Sequence, residues 1–84
     1  MKVIWSQKSF NDYQYFKNKK PEIFDKINTL LKDISINNFV GLSKPEPLKH
    51  NLNGYWSRRI NQEHRLVYYI KNNCIFVIQC KFHY

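Results

Sequence analysis

The chain has 84 residues, of which 43% are hydrophobic and 17% aromatic, and it carries a formal net charge of +8. This length suits a single core, so we expect residues 1–84 to form one domain. The apolar and aromatic content excludes a disordered tail, and no apolar run is long enough for a membrane span. Because a strand is predicted from Lys2 onward, we expect no signal peptide and a cytoplasmic protein.

The positive charge predicts a polyanionic partner. Fourteen Lys and Arg residues stand against six acidic residues, and such an excess concentrates nucleic acids or acidic proteins near the surface. Residues 1–43 carry seven bases and four acids, whereas residues 44–84 carry seven bases and two acids. We therefore expect the anion-binding surface in the second half of the chain.

The first half of the sequence predicts one strand and two helices. Lys2–Trp5 has the composition of a short strand, and Ser6 can cap a helix over about Gln7–Asn18. Pro21 suits the first turn of a second helix, which ends at Asn37-Asn38. Its apolar residues recur at helical spacing and predict one buried face, formed by Ile23, Ile27, Leu30, Leu31 and Ile34.

The second half predicts an irregular stretch over Val40–Gly54 and then three strands. The strands cover Tyr55–Ile60, Arg65–Ile70 and Cys74–Phe82, and hairpin turns join them. His64 is interpreted as a residue of the first turn. The order β-α-α-β-β-β is typical of an α/β protein of the α+β type, with two helices on one face of an antiparallel sheet.

The alternation of side chains predicts which residues share a face of this sheet. The apolar sets expected to face the helices are Phe76, Ile78, Cys80 and Phe82 on the last strand, Leu66, Tyr68 and Ile70 on the middle strand, and Trp56 and Ile60 on the first. This register requires hairpin loops with an odd number of residues. The open face then collects Arg59, Arg65, Lys81 and His83, with Gln79 beside them. Arg58 fits the register poorly and is expected at the rim.

Several of these side chains together could cleave RNA. Attack of the ribose 2′-hydroxyl on its own phosphate needs a base, an acid and cations around the phosphorus. Glu46, one of only two acidic residues after residue 33, lies between Pro45 and Pro47, which stiffen the backbone. His83 has the side chain that titrates nearest neutral pH. With the arginines, these groups satisfy the chemistry, so we expect neither a metal nor another cofactor.

Taken singly, each candidate has an ordinary structural interpretation. Glu46 would be a solvated loop charge, His83 a surface histidine, and Arg65 one half of an ion pair with Glu63. Tyr84 would be an incidental residue or a platform on which a base stacks. Only the coincidence of these residues predicts a site.

The sequence resembles the YoeB (Txe) branch of the RelE-like toxins. The resemblance is carried by Lys44–Ile60, by Glu63–Tyr68 and by His83-Tyr84, and the opening Lys2–Ser6 with Asp12-Tyr13 fits as well. It spans the whole chain. It implies a compact microbial-ribonuclease-like domain that cleaves messenger RNA in the ribosomal A site and thereby stops translation.

The resemblance also implies roles and partners. At matching positions, Glu46 would be the general base, His83 the general acid, Arg65 the group that stabilises the phosphate, and Tyr84 the terminal active-site residue. Supporting residues would be Lys49, Arg59 and Glu63, and Arg58 and Lys81 are candidates for contacts with RNA. The implied partners are a YefM/Axe-type antitoxin, the ribosome with its mRNA, a second copy of the toxin, and operator DNA bound through the antitoxin complex.

Two alternatives stay open at this point. The first is a non-catalytic RNA-binding module that uses the same basic face. The second is an interaction protein whose basic face serves only an acidic partner. Binding of free RNA separates them weakly, because any strongly basic protein binds some RNA.

Overall fold

A computed structural model describes residues 1–82, which form two helices and a five-stranded sheet. In chain order the elements are β1 (Lys2–Trp5), α1 (Gln7–Lys19), α2 (Pro21–Ile36), β2 (Glu46–Pro47), a 3₁₀ turn at His50–Leu52, β3 (Trp56–Arg59), β4 (Arg65–Lys71) and β5 (Cys74–Gln79). The predicted helices and strands are all present. The two-residue strand β2 and the 3₁₀ turn were not predicted, and both lie within the stretch expected to be irregular.

Both helices begin at the predicted signals. The Ser6 hydroxyl accepts a hydrogen bond from the Ser9 amide and caps α1, and Pro21 occupies the first turn of α2. The whole predicted apolar stripe of α2 is buried, and each such side chain contributes about 2 kcal/mol through burial. The stripe packs with Phe16 of α1 against one face of the sheet. Within residues 1–82, neither helix is long and apolar enough to cross a membrane.

The sheet is mixed, with the strand order β1-β5-β4-β3-β2. The pairs β3–β4 and β4–β5 are antiparallel, as predicted. The additional strand β2 pairs antiparallel to β3, but β1 pairs parallel to β5. The amide of Ser6 extends this parallel ladder by donating to the Val77 carbonyl. The four residues of β1 carry no side-chain pattern that indicates their direction, so the expectation of a wholly antiparallel sheet was wrong at this edge.

The predicted register of β5 was also wrong. Ile75 and Val77 face the helices and are buried, whereas Phe76 and Ile78 lie on the other face. The cause is the hairpin turn, in which Lys71 pairs with Cys74 across two loop residues instead of three. The loop residues are Asn72 and Asn73, with φ of 52° and 60°, and positive φ at both central positions is the property of a type I′ turn.

A bulge then restores the predicted assignment of residues to the two faces of the sheet at the end of β5. Val67 pairs with Gln79 and Tyr68 with Val77, so Ile78 has no partner of its own on β4. Cys80 therefore returns to the helix side and is completely buried, as predicted. Phe82, predicted to be buried, is 53% exposed.

Candidate active site

The open face of the sheet brings two arginines side by side. Arg59 of β3 is directly opposite Arg65 of β4, as the sequence predicted. The Arg65 guanidinium is oriented by the backbone, because its Nη1 donates to the carbonyls of Asn61 (3.0 Å) and His64 (3.3 Å). Among the described residues, its partners are thus backbone carbonyls and not Glu63. Two adjacent guanidiniums of this kind can hold a phosphate.

Strand β2 brings Glu46 to the same place. Glu46 pairs with Ser57 of β3, which puts the exposed carboxylate side chain next to the strand that carries Arg59. The preceding loop turns sharply at Ser43 and Lys44, both with positive φ, and the Arg59 amide holds it by donating to the Ser43 carbonyl at 2.9 Å. The position of Glu46 therefore depends on how this loop is fixed to β3.

These residues line one small cleft of about 50 Å³, formed by Lys44, Glu46, Ser57, Arg59 and Arg65. The cleft places one carboxylate among three cations. A second, wider cavity of about 500 Å³ adjoins it, and residues 46–52 line that cavity, including Lys49. Because Glu46 borders both spaces, a phosphate in the cleft would leave room for an attached nucleoside in the wider cavity.

Among residues 1–82, three of the predicted residues line neither this cleft nor the wider cavity. Glu63 lies in the turn before β4, where its Oε1 is 3.4 Å from Nε2 of His64. The Lys81 ammonium lies 4.4 Å from the centre of the Tyr15 ring on α1, so the prediction that Lys81 shares the open face was wrong. The chain leaves the sheet after Gln79, and the alternation that supported this prediction stops there.

Arg58 is the third, and its predicted position was also wrong. Its side chain is completely buried because Arg58 pairs with Leu66 on the helix side of the sheet. The guanidinium forms an ion pair with Asp33 of α2 and donates to several oxygens, which are the Tyr68 hydroxyl and the carbonyls of Asn37, Val40 and Leu42. A side chain with no exposed surface cannot contact RNA, so Arg58 fixes the loop after α2 instead.

Charge and burial shift two pKa values around Arg58. The hydrogen bond from Arg58, aided by one from the Leu42 amide, lowers the pKa of Asp33 below its ordinary value. Burial raises the pKa of Tyr68 above its ordinary value, against the opposing effect of Arg58. Gly41 accommodates the same contact: its φ is +105°, and a Cβ there would collide with the Asp33 carboxylate.

His83 and Tyr84 lie outside the described residues, so their predicted positions remain predictions. Sequence reasoning missed Lys44 and Ser57 as cleft residues, because their placement follows from the pairing of the very short β2. It also interpreted His64 as an ordinary turn residue, whereas this ring is buried. Its sequence signal, a histidine in a polar turn, is weak.

Comparison with known proteins identifies the family. A family model described as "YoeB-like toxin of bacterial type II toxin-antitoxin system" matches residues 5–84. The chain is 50% identical to Toxin YoeB of Escherichia coli (strain K12) over 84 residues, which cover all of both chains.

Solved structures agree with this assignment. A YoeB/ParE toxin from Agrobacterium tumefaciens superposes with a TM-score of 0.97 at 44% identity, and the match covers all of both chains. YoeB from Staphylococcus aureus, solved both with YefM and as a dimer, gives 0.94 at 48% identity and covers 100% of this chain and 98% of its own. The chain therefore belongs to the family of YoeB-like toxins of bacterial type II toxin–antitoxin systems.

Proposed function

We propose that the protein is a ribosome-dependent endoribonuclease that cleaves messenger RNA in the A site without a metal ion. The observation that carries the proposal is the convergence of Glu46, Arg59 and Arg65 on one cleft. A basic protein without a reaction to perform has no need for a carboxylate among the cations that receive a phosphate, because the carboxylate repels the phosphate. A carboxylate is useful there as a base.

The proposed reaction uses Glu46 as the general base and His83 as the general acid. Glu46 removes the proton of the ribose 2′-hydroxyl, and the oxygen attacks the adjacent phosphorus. The bond between phosphorus and the 5′-oxygen breaks, and His83 donates a proton to that oxygen. The products are a 2′,3′-cyclic phosphate and a free 5′-hydroxyl. Arg65, with Arg59 beside it, stabilises the charge that develops on the phosphate oxygens.

The role of His83 is supported by the residue before it. The Arg65 amide donates to the Phe82 carbonyl at 3.1 Å, so the described chain ends next to the strand that carries Arg65. His83 is the next residue in the sequence after Phe82. Tyr84 follows and, in this proposal, stacks on a base of the message.

The partners are proposed from charge and from the relatives. A toxin with a net charge of +8 suits an acidic antitoxin segment that folds on docking and covers the site. The Staphylococcus aureus relative has been solved with YefM and as a dimer, so we propose a YefM/Axe-type antitoxin and a homodimer for this chain. Action on cytoplasmic ribosomes and repression of the operon through operator DNA belong to the same proposal.

The test is cleavage of a defined message on purified ribosomes, followed by primer extension. Wild-type protein should cut within the A-site codon, and E46Q should reduce the single-turnover rate at least about 100-fold. E22Q is the matched control, because Glu22 is an exposed carboxylate in the first turn of α2, far along the chain from the cleft.

One alternative has specific support and a distinct outcome. The wide cavity beside Lys49 would also suit an RNA-binding module that performs no cleavage. Binding of wild-type protein to programmed ribosomes, with the message left intact under all conditions, would favour that module over the nuclease. Equal rates for E46Q and wild type would also contradict the proposed base.

A further inference from the structure

His64 occupies an unusual position for a histidine in a surface turn. Its side chain is only 4% exposed, although it does not line the cleft. The imidazole lies between two aromatic rings, with centroids 5.0 Å from Phe16 of α1 and 5.5 Å from Phe82. An apolar ring would fill this space equally well, so packing alone does not explain the choice of an imidazole.

The hydrogen bonds of the ring explain that choice. The Phe82 amide donates to Nδ1 of His64 at 2.8 Å, while the carbonyl of the same residue accepts from the Arg65 amide. Both backbone polar groups of Phe82 are thus held by two consecutive residues, His64 and Arg65. The turn itself is closed by the Asn61 side chain, whose Oδ1 accepts from the His64 amide at 2.7 Å.

Phe82 needs such restraint because of its backbone conformation. Its φ is +65°, in the left-handed region that costs a residue with a Cβ about 1–2 kcal/mol. An unrestrained chain would leave this conformation. The hydrogen bond to His64 therefore helps to hold the backbone of Phe82 in this conformation.

The tautomer of His64 suits the same purpose. A ring whose Nδ1 accepts a hydrogen bond carries its proton on Nε2. That Nε2 is 3.4 Å from the Glu63 carboxylate, which favours the proton on this side. Glu63 thus contributes without reaching the cleft, by keeping Nδ1 available as the acceptor.

We propose that His64 is a positioning residue for the cleavage reaction: it fixes the backbone at Phe82, the residue that precedes the proposed general acid His83 in the sequence. This inference rests on the proposed nuclease function for its kinetic consequence, but its structural part does not. A misplacement of about 1 Å of a reacting group can reduce a rate about 100-fold. Removal of the Nδ1 acceptor should therefore reduce the turnover rate much more than binding.

Three substitutions separate the hydrogen bond from packing. His64→Phe keeps a ring of similar size and removes the acceptor. His64→Asn places an amide oxygen near the position of Nδ1, whereas His64→Gln places its amide near the position of Nε2. Phe16→Leu is the control for a loosened core, because it removes the other ring beside His64 and leaves the acceptor intact.

The structural readout is NMR of protein labelled with ¹⁵N. Wild type should show a scalar coupling between the Phe82 amide nitrogen and Nδ1 of His64, and slow exchange of the Phe82 amide hydrogen. His64→Phe should speed this exchange at least tenfold relative to the Leu66 amide in β4. Phe16→Leu should change both amides by similar factors. Absence of the coupling in wild type, or unchanged relative exchange in His64→Phe, would overturn the proposal.

The kinetic readout is the single-turnover rate on programmed ribosomes. We expect His64→Phe and His64→Gln to lose 10- to 100-fold in maximal rate with less than a threefold change in half-saturating concentration, and His64→Asn to recover most of the rate. Equal losses in Asn and Gln variants would overturn the positioning role. If wild type cuts no message, the nuclease proposal fails, and the amide exchange alone decides whether His64 fixes Phe82.

Discussion

Replacement of Arg58 by methionine tests the account of the loop that carries Glu46. Methionine preserves the apolar stem but removes the guanidinium, so the Asp33 carboxylate loses its ion-pair partner and the carbonyls of Asn37, Val40 and Leu42 lose this donor. Loss of one partner of a buried ion pair costs about 3–5 kcal/mol. Since the Asp33 side chain keeps 17% of its surface exposed, water can replace part of the interaction. We therefore expect a loss near the lower limit, about 3 kcal/mol.

Arg59→Met is the matched control on the same strand. Arg59 is exposed, and substitutions at such positions usually change the free energy of unfolding by less than about 0.5 kcal/mol. Urea denaturation followed by tryptophan fluorescence measures both variants. With a urea dependence of about 1.5 kcal/mol/M, the midpoint of Arg58→Met should fall by about 2 M and that of Arg59→Met should hardly move. When both proteins are folded, the cleavage rate should fall more in Arg59→Met than in Arg58→Met.

A small effect would refute this reasoning. If Arg58→Met lost less than about 1 kcal/mol, the pair with Asp33 would behave like an exposed ion pair, and the loop would have to be fixed by other contacts. A loss as large in Arg59→Met would show that positive charge on β3 matters for folding regardless of the side on which it lies.

Three further predictions concern the described part of the chain. Arg58 lowers the pKa of Asp33 below its ordinary value of 3.8. The ionised carboxylate therefore stabilises the protein above that pH, and this contribution should be lost as the pH falls below it. In Asp33→Asn, the free energy of unfolding measured in urea should therefore decrease less on acidification than in wild type. Burial raises the pKa of Cys80 to about 12, so this thiol should not react with iodoacetamide at pH 8. Intact-mass spectrometry should therefore show one carbamidomethyl group, located at Cys74. Asn73→Gly should raise the free energy of unfolding by about 0.5 kcal/mol, because glycine adopts positive φ without strain, and Asn73→Ala should lower it; a fall in the urea midpoint of the glycine variant would contradict the turn.

The helical layer could be predicted from sequence because its signals agree with one another. In α2, Pro21 marks the start and the apolar stripe marks one face, and the structure buries that whole stripe. In β5 the sequence pattern does not indicate which face of the strand is buried. Ile75 and Val77 are as apolar as Phe76 and Ile78, so alternation allows either face. Only the two-residue turn and the bulge select between them, and both depend on pairing with β4.

The candidate site was predictable where neighbouring strands alone create it. The pairing of Arg59 with Arg65 follows from the inward positions of Trp56 and Tyr68. The approach of Glu46 does not, because it depends on the path of residues 37–45. That path is held by Arg58, a residue type that is seldom buried without a partner, and the partner comes from α2. Tertiary contacts of this kind leave no local pattern in the sequence.

The parallel pairing of β1 with β5 has a consequence for how the protein is made. Ribosomes deliver a chain from its amino terminus, yet the strand between β1 and β4 is the last of the five to be synthesised. Until residues 74–79 emerge, β1 has no neighbour in the sheet and one side of β4 stays bare, so the nascent chain cannot finish its core. The complete scaffold for the cleft therefore forms only after nearly all of the chain has been made.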